Sequence, residues 1–288
     1  MRAILRKRLN RSWPVDILLF LVLSGVAAFM AFPLVFTVSN AFKPLDEIFL
    51  FPPRFFVRNP TFYNFTVLSD IFADSWVPFS RYVFNSFFIA IVGTAGHVII
   101  ASAAAYPLAK LKFPGRNVLF YVVVLSLMFS PYVTAVPNYI TISWLGMLNT
   151  YWAILLPAIG STLGLYLMKQ FMEQIPDELI EAGKIDGASE YRIFWRIVMP
   201  VVKPAWLTLI IFSLQGLWTN GSVTSHKFIY SEQLKTVDYV FSQIASGGIV
   251  RTGPVAAVTF LMMLVPITVF VVTQSNVIQT MTTSGMKE

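Results

Sequence analysis

Carboxylates concentrate in one short segment of an otherwise apolar chain. The 18 residues from Glu173 to Glu190 contain six of the fourteen Asp and Glu residues of this 288-residue protein. Side chains of this type can form charge-assisted hydrogen bonds with a basic partner, which are roughly twice as strong as bonds between neutral groups. Burial at the centre of a bilayer would cost about 2.5 to 3.5 kcal/mol for each ionised residue. The segment must therefore face water or a polar partner.

A short helix should place the first of these carboxylates. Proline suits the first turn of a helix, and carboxylates there complement the positive end of the helix dipole, so Pro176, Asp177 and Glu178 mark a helix start. The helix should end after about eight residues at Asp186 and Gly187, because glycine readily adopts left-handed backbone angles. The acidic residues would then flank a tight turn.

A second helix should follow this turn. Ser189 can cap it, and Pro200 and Pro204 should close it and begin the next segment. Its apolar face would consist of Ile193, Phe194, Ile197 and Val198. From pattern alone, the unit is either a solvated loop packed against its own chain or a knob held in a groove of another protein.

The composition places the chain in the membrane class. It is 56% apolar, contains 26 Phe and has 12% charged residues, against about 25% in globular proteins. The net charge of +7 does not indicate nucleic acid, since the basic residues are scattered among apolar segments. The chain has no cysteine, which excludes disulfides, thiolate zinc sites, iron–sulfur clusters and cysteine nucleophiles. No metal site or bound cofactor is predicted.

The apolar runs predict an all-α membrane protein with six transmembrane helices. A bilayer crossing needs roughly 20 mainly apolar residues, and the interval from Asn117 to Met168 has no Asp, Glu, Lys, Arg or His, which suits two crossings. Polar residues at 137–150 would form the connection between those two crossings. The predicted spans are about 17–38, 83–109, 118–136, 151–168, 205–224 and 255–276.

The loops indicate the orientation. The N-terminus, the turn at 110–116, the loop at 169–203 and the C-terminal tail together hold 14 of the 21 basic residues. Because cytoplasmic loops carry the excess of Lys and Arg, both termini should be cytoplasmic. We therefore expect a cytoplasmic N-terminus over 1–16, a membrane domain over 17–276 and a cytoplasmic tail over 277–288. Residues 40–81 would form an external cap.

The acidic segment resembles a family motif. It is similar to the EAA motif of the permease subunits of binding-protein-dependent ABC importers, in their carbohydrate, maltose-type branch. Gly183 replaces the second Ala of the motif and Met199 replaces its Leu. The matching residues are Glu181, Ala182, Asp186, Gly187, Ala188, Phe194, Ile197, Pro200 and Pro204. Residues 85–110, 146–157 and 274–288 also resemble this family, whereas 217–230 departs from its usual pattern.

The resemblance implies a type I importer permease fold in a bacterial cytoplasmic membrane. It also implies that the matching residues, with Gly183, dock on a cytoplasmic ATPase dimer. A second permease subunit and an extracytoplasmic solute-binding protein would complete the complex, which would import a sugar or oligosaccharide. This sequence has no phosphate-binding G-x-x-x-x-G-K-[ST] loop, so it should be a non-catalytic membrane subunit. ATP and Mg²⁺ would be bound by the partner ATPase.

A polar route through the membrane can be sketched from side-chain types. His97 is predicted to lie mid-span, where an ionisable group is costly and often functional. It could line the route or be a neutral imidazole bonded to a neighbouring helix. The candidate residues of the route are Asn85, Ser86, His97, Ser130 and Asn138.

Two other classes of membrane protein, a secondary transporter or channel and an enzyme, fit the sequence less well. An ATP-independent secondary transporter or channel usually couples through intramembrane carboxylates, and the predicted spans contain none. A membrane enzyme using His97 would need a nearby carboxylate, and no Asp or Glu lies on the same predicted span.

Overall fold

A computed structural model describes residues 13–73, 76–219, 227–248 and 251–284, and within these residues all regular structure is helical. The helices of the first half are α1 (Trp13–Ala41), α2 (Leu45–Ile48), α3 (Tyr63–Ala73), α4 (Phe79–Lys110), α5 (Arg116–Ser126) and α6 (Pro131–Trp144). Those of the second half are α7 (Trp152–Ile159), α8 (Thr162–Glu173), α9 (Asp177–Ile185), α10 (Glu190–Ile193), α11 (Met199–Val201), α12 (Lys203–Thr219), α13 (Val237–Ala245) and α14 (Thr252–Ser284). A π-helical turn joins α10 to α11, and a 3-10 turn lies at Glu232–Leu234.

Four segments are long and apolar enough to cross a membrane without a sharp bend. They are α1, α4, the segment formed by α7 and α8, and residues 252–274 of α14. Two further crossings are available if each sharply bent pair counts as one span: α5 with α6, bent by 110°, and α10 to α11 with α12, bent by 78°. The fold therefore has between four and six candidate spans.

The predicted third span at 118–136 is not one straight helix. Helix α5 ends at Ser126 and α6 begins at Pro131 in a different direction. The residue before a proline is disfavoured in helical conformation, and Ser130 accordingly adopts φ −64° and ψ 141°. Its side chain accepts a bond from the backbone N–H of Tyr132. The predicted connection at 137–150 is correspondingly shorter, because α6 continues to Trp144.

The chain forms two compact units. The first consists of residues 1–68 and 249–260, and its interior contains buried polar groups. The Lys43 ammonium group donates to Asn40 Oδ1 over 2.7 Å, and the Asn64 amide donates to the carbonyl oxygens of Ala41 and Lys43. Glu47 accepts from the backbone N–H of Arg58 over 2.9 Å. The predicted cap segment is therefore folded around its own polar core as far as residue 68.

The second unit, residues 69–248 and 261–288, is organised around α4. Helices α7, α8 and α12 all pack along α4. Near its C-terminal end, the small side chains of Ala101, Ala105 and Ala109 are buried, which allows neighbouring helices to approach closely. Methionines Met168 and Met172 of α8 fill the adjoining space. This end of α4 also positions the acidic segment.

Candidate functional site

Helix α9 and the turn after it have the predicted form. The helix covers Asp177–Ile185 and ends in a left-handed residue, Gly187, with φ +74°. The Ala188 N–H donates to the Gly183 carbonyl and the Gly187 N–H donates to that of Lys184, each over 3.0 Å. These two bonds form the Schellman motif, which satisfies carbonyls at a helix end. Glycine is therefore favoured at position 187, because the motif requires a positive φ there.

Gly183 is the contact point between the two short helices. It is buried, and a Cβ atom at this position would lie 2.7 Å from Ile197 Cδ1 and 3.4 Å from Ile193 Cγ1. The close neighbour is the flexible end of an isoleucine. An alanine here, as in the motif of the family, would thus require only a small shift of Ile197.

The second helix differs from the prediction at its C-terminal end. Ser189 caps it as predicted, accepting from the Arg192 N–H, but the helix runs through Pro200 and breaks at Val202. The π-helical turn covers Phe194–Val198, and the Met199 N–H bonds to the Phe194 carbonyl. The π-helical turn shifts the register of the backbone hydrogen bonds shortly before Pro200, whose nitrogen has no hydrogen to donate.

The interior of the acidic segment is continuous with that of the membrane helices. Trp206 bridges the break, since its indole N–H donates to the Met199 carbonyl over 3.0 Å. One hydrophobic cluster joins α4 and α8 to the two short helices and the start of α12; it includes Ile180 of α9 and, after the acidic segment, Ile193, Phe194 and Val198. Movement of the segment must therefore be transmitted to α4 and α12, because packed interiors are nearly incompressible.

The opposite face of α9 is open. Glu178, Glu181, Ala182 and Ile185 share helical spacing and are all exposed, and Ile185 is 86% exposed. Asp186 is also exposed, at the end of the helix. This face of α9 is therefore accessible to a partner protein.

Polar contacts hold α9 at the end of α4. Lys110 Nζ donates to Asp177 Oδ1 over 2.6 Å and to the carbonyl oxygen of Ile175. The pKa of the Asp177 carboxyl is lowered, first by the hydrogen bond from Lys110 and then by its charge. Lys169 pairs with Glu173 over 2.6 Å. The Lys169–Glu173 pair lies within the last turn of α8, and it is Lys110 that attaches the beginning of the acidic segment to α4.

A second contact holds α10. Glu190 accepts from the Tyr106 hydroxyl of α4 over 2.6 Å and pairs with Lys184 of α9 over 2.8 Å. The pKa of the Glu190 carboxyl is lowered, chiefly by its bond to Lys184 and then by its bond to Tyr106. One carboxylate thus joins three helices.

Two of the predicted route residues lie together at the other end of α4. Asn85 is fully buried; its amide donates to the carbonyls of Gln233 and Lys235, and it accepts from the Tyr151 hydroxyl over 2.7 Å. The Ser86 hydroxyl accepts from the Val237 N–H over 2.9 Å. These side chains attach the 232–237 segment to α4.

The remaining route residues do not join this pair. His97 is buried, with Nδ1 3.2 Å from Ser213 Oγ and Nε2 3.2 Å from the Ser161 carbonyl oxygen. Ser130 caps α6 and Asn138 lies on α6, and both are exposed. A role for the five residues in translocation remains a prediction.

Residues 21–282 match the protein family described as "Binding-protein-dependent transport system inner membrane component". The chain belongs to this family. The permease is 37% identical over 205 residues to Protein LplC of Bacillus subtilis strain 168, which covers 71% of this chain and 67% of that protein. It is 30% identical to the polygalacturonan/rhamnogalacturonan transport system permease protein YtcP of the same strain, over 71% of this chain and 69% of YtcP.

Solved structures share the fold of the permease. One chain of a bacterial ABC transporter involved in the import of the acidic polysaccharide alginate superposes with a TM-score of 0.75, covering 92% of this chain and 98% of that one at 20% identity. These comparisons give no support to the secondary-transporter or membrane-enzyme alternatives.

Sequence reasoning missed the residues that attach the acidic segment to the permease core. Lys110 and Asp177 are 67 positions apart, and Tyr106 and Glu190 are 84 apart. No local pattern pairs residues at such separations. The only sequence signal was general: polar side chains that end a long apolar helix next to a charged loop.

Replacing Lys110 should destabilise the permease more than replacing its exposed partner. Lys110→Met leaves the carbonyl of the buried Ile175 without this donor, at a cost of about 1 to 3 kcal/mol. Asp177→Asn removes an ion pair whose carboxylate is 77% exposed, so its effect should be smaller. Thermal unfolding of the purified protein in detergent would measure both. Equal losses would contradict the role given to the carbonyl.

Acid should weaken the junction at Glu190. Because its pKa is lowered in the folded state, the stabilisation is complete above the ordinary carboxyl pKa and is lost as the pH falls through the lowered value. The expected result is a wild-type thermal midpoint that falls more steeply on acidification than that of Glu190→Gln. Tyr106→Phe keeps the ring but removes one hydrogen-bond donor to Glu190, so the pH dependence of its thermal midpoint should be intermediate between those of the other two proteins. Parallel profiles for wild type and Glu190→Gln would refute this.

Proposed function

We propose that this chain is one of two permease subunits of an ATP-driven importer of a sugar or oligosaccharide in a bacterial cytoplasmic membrane. The observation that carries the proposal is the two-sided construction of the acidic segment. Its inner face shares a core with α4, α8 and α12, while its outer face exposes Glu181 and Ile185. Such a unit can receive a force from a partner and pass it to the membrane helices.

The partner on this outer face is proposed to be a cytoplasmic ATPase. It would bind ATP and Mg²⁺, and this chain would need no cofactor of its own. The motif residues would act in two groups. Glu181, Ala182 and Asp186 would meet the ATPase, whereas Gly183, Gly187, Ala188, Phe194, Ile197 and Pro200 would shape and hold the docking unit.

The proposed topology has six crossings with both termini in the cytoplasm. The distribution of basic residues supports this orientation, and the two bent helix pairs would be the third and fifth crossings along the chain. A second six-span permease would complete the pathway through the bilayer. An extracytoplasmic solute-binding protein would deliver the cargo; one solved structure of similar fold is a bacterial alginate ABC transporter in complex with an alginate pentasaccharide-bound periplasmic protein.

A saccharide cargo is supported by relatives with named solutes. YtcP is named for polygalacturonan and rhamnogalacturonan, and a further relative from Pectobacterium atrosepticum, 32% identical over 203 residues, is named for sn-glycerol-3-phosphate. Aromatic residues, which stack on sugar rings, make up 15% of the chain. Because sn-glycerol-3-phosphate is a phosphate ester and not a saccharide, a test of the cargo must include glycerol phosphate.

The test is reconstitution of the complete importer in proteoliposomes. Cargo uptake would be measured with ATP inside, across neutral oligosaccharides, acidic oligosaccharides and glycerol phosphate. We expect uptake of a saccharide that requires both ATP and the binding protein. Uptake without a nucleotide-hydrolysing subunit would overturn the importer assignment, and uptake of glycerol phosphate alone would overturn the saccharide cargo. Labelling of cysteines introduced at 181 and 46 would test the topology, with only the former expected to be cytoplasmic.

A further inference from the structure

An apolar groove opens on the surface of the second unit between α4, α12 and the π-helical turn. It encloses about 420 Å³. Ile91 and Ile99 mark its length along α4, and Leu214 and Trp206 mark the same length along the antiparallel α12, about 12 Å at 1.5 Å per residue. Trp195 and Met199 close the end nearest the acidic segment. The groove therefore extends along both helices, and the end closed by Trp195 and Met199 is the one nearer the acidic segment.

The groove offers almost no polar contact to an occupant. The indole N–H of Trp206 is already bonded to the Met199 carbonyl. Thr94 is a lining residue with a hydroxyl group, but it is only 5% exposed. Ala95, which is exposed, leaves the middle of the groove open. An unbranched hydrocarbon chain fits this lining.

Two cations lie next to Trp195 in the sequence, at this end of the groove. Arg192 is one helical turn before Trp195, and Arg196 follows it directly; both are exposed. Within the described part of the chain, neither arginine forms an ion pair, and the neighbouring Glu190 is bonded to Lys184 and Tyr106. Tyr191, 74% exposed, packs edge-on against Trp195. Aromatic and basic side chains at one level are typical of the headgroup region of a membrane.

We propose that this groove binds one acyl chain of an anionic phospholipid, with Arg192 and Arg196 binding the headgroup phosphate. The charge complementarity of the two unpaired arginines favours a lipid over an apolar helix, which would leave them without a counter-ion. The site rests on the proposed function, because the acidic segment must lie at the cytoplasmic surface of the bilayer. It would connect lipid composition to the helix that carries the docking unit.

Bromine quenching of tryptophan fluorescence tests the site in the complete, lipid-depleted importer. Phosphatidylglycerol and phosphatidylcholine with brominated acyl chains would be titrated separately, and the signal of Trp195 would be obtained by subtracting that of Trp195→Phe. We expect phosphatidylglycerol to quench Trp195 at about tenfold lower concentration, given two arginines near the headgroup. Equal potency of the two lipids would overturn the headgroup site.

Two variants distinguish binding of the lipid headgroup from binding of the acyl chain. Arg192→Gln/Arg196→Gln should make the two lipids equally potent, whereas Ala95→Phe, which fills the groove, should abolish quenching by both. Arg54→Gln/Arg58→Gln removes the same charge from the first unit, at exposed positions, and should change nothing. Quenching that survives Ala95→Phe would overturn the chain site.

Other occupants give distinct results. Free sn-glycerol 1-phosphate, which has the headgroup chemistry without a chain, should not compete; full competition would indicate a phosphate site and overturn the proposal. Quenching in the isolated chain that disappears in the assembled importer would show that a partner helix covers the groove, which also overturns it. ATP-driven uptake is measured on the same preparation. Lost uptake with intact quenching would contradict the proposed function and leave the lipid site standing.

Discussion

Glu181→Lys is expected to reduce ATP-driven uptake and cargo-stimulated ATP hydrolysis by about 10- to 100-fold without unfolding the permease. Glu181 is exposed on the outer face of α9. A charge-assisted bond to a basic residue of the ATPase would contribute roughly 1.5 to 3 kcal/mol, which corresponds to that loss of affinity. Uptake in proteoliposomes and copurification of the ATPase would measure the two consequences.

Matched variants decide whether charge or structure is responsible. Glu181→Gln should be less damaging, because it can still accept a hydrogen bond but attracts no cation. Asp46→Lys makes the same charge change at an exposed carboxylate of the first unit and should leave assembly intact. Ile185→Ala should weaken copurification by a different route, through lost apolar burial of a side chain that is 86% exposed in this chain. Normal uptake by Glu181→Lys in an assembled complex would refute the docking role.

Gly164→Ala should destabilise the permease by roughly 2 to 5 kcal/mol through overpacking and lost hydrogen bonds. Gly164 is buried, and a Cβ atom there would overlap the imidazole ring of His97. This ring is held between Ser213 and the Ser161 carbonyl, so it cannot move aside without breaking those bonds. The thermal midpoint in detergent and the yield of folded protein would report the loss.

A double variant distinguishes steric overlap from other causes. Gly164→Ala/His97→Ala should be about as stable as His97→Ala alone, since without the imidazole ring the added methyl group meets open space. Gly216→Ala is the control, because nothing lies within 4 Å of a Cβ atom at that position of α12; it should be neutral or slightly stabilising. A thermal midpoint of Gly164→Ala equal to that of the wild type would contradict the close packing of Gly164 against His97.

The His97→Ala variant alone also separates the two readings of this histidine. A structural imidazole predicts lower stability with uptake per folded molecule retained. If His97 instead lines the translocation route, His97→Ala should keep its stability but lose uptake per folded molecule.

Local structure was predictable wherever its cause is local. The start of α9 at Asp177, its end before Gly187 and the cap at Ser189 follow from proline, glycine and hydroxyl chemistry within a few residues. The same logic failed at Pro200, where a π-helical turn carries the helix past the proline. Hydropathy alone also gave no sign that the apolar run at 118–136 changes direction by 110° at Pro131. Hydropathy measures the number of apolar residues and is insensitive to direction.

The sequence alone determined that this chain is an all-α membrane protein with a charged segment that the bilayer cannot hold. Composition and charge suffice for that, since transfer free energies depend on residue type. Only the tertiary structure decided which helix the segment is attached to. Lys110 and Tyr106 lie one helical turn apart on α4 and hold α9 and α10, and the apolar groove beside Trp195 exists only because α4 and α12 run antiparallel. Contacts between residues so distant in the chain depend on packing, which no single segment specifies.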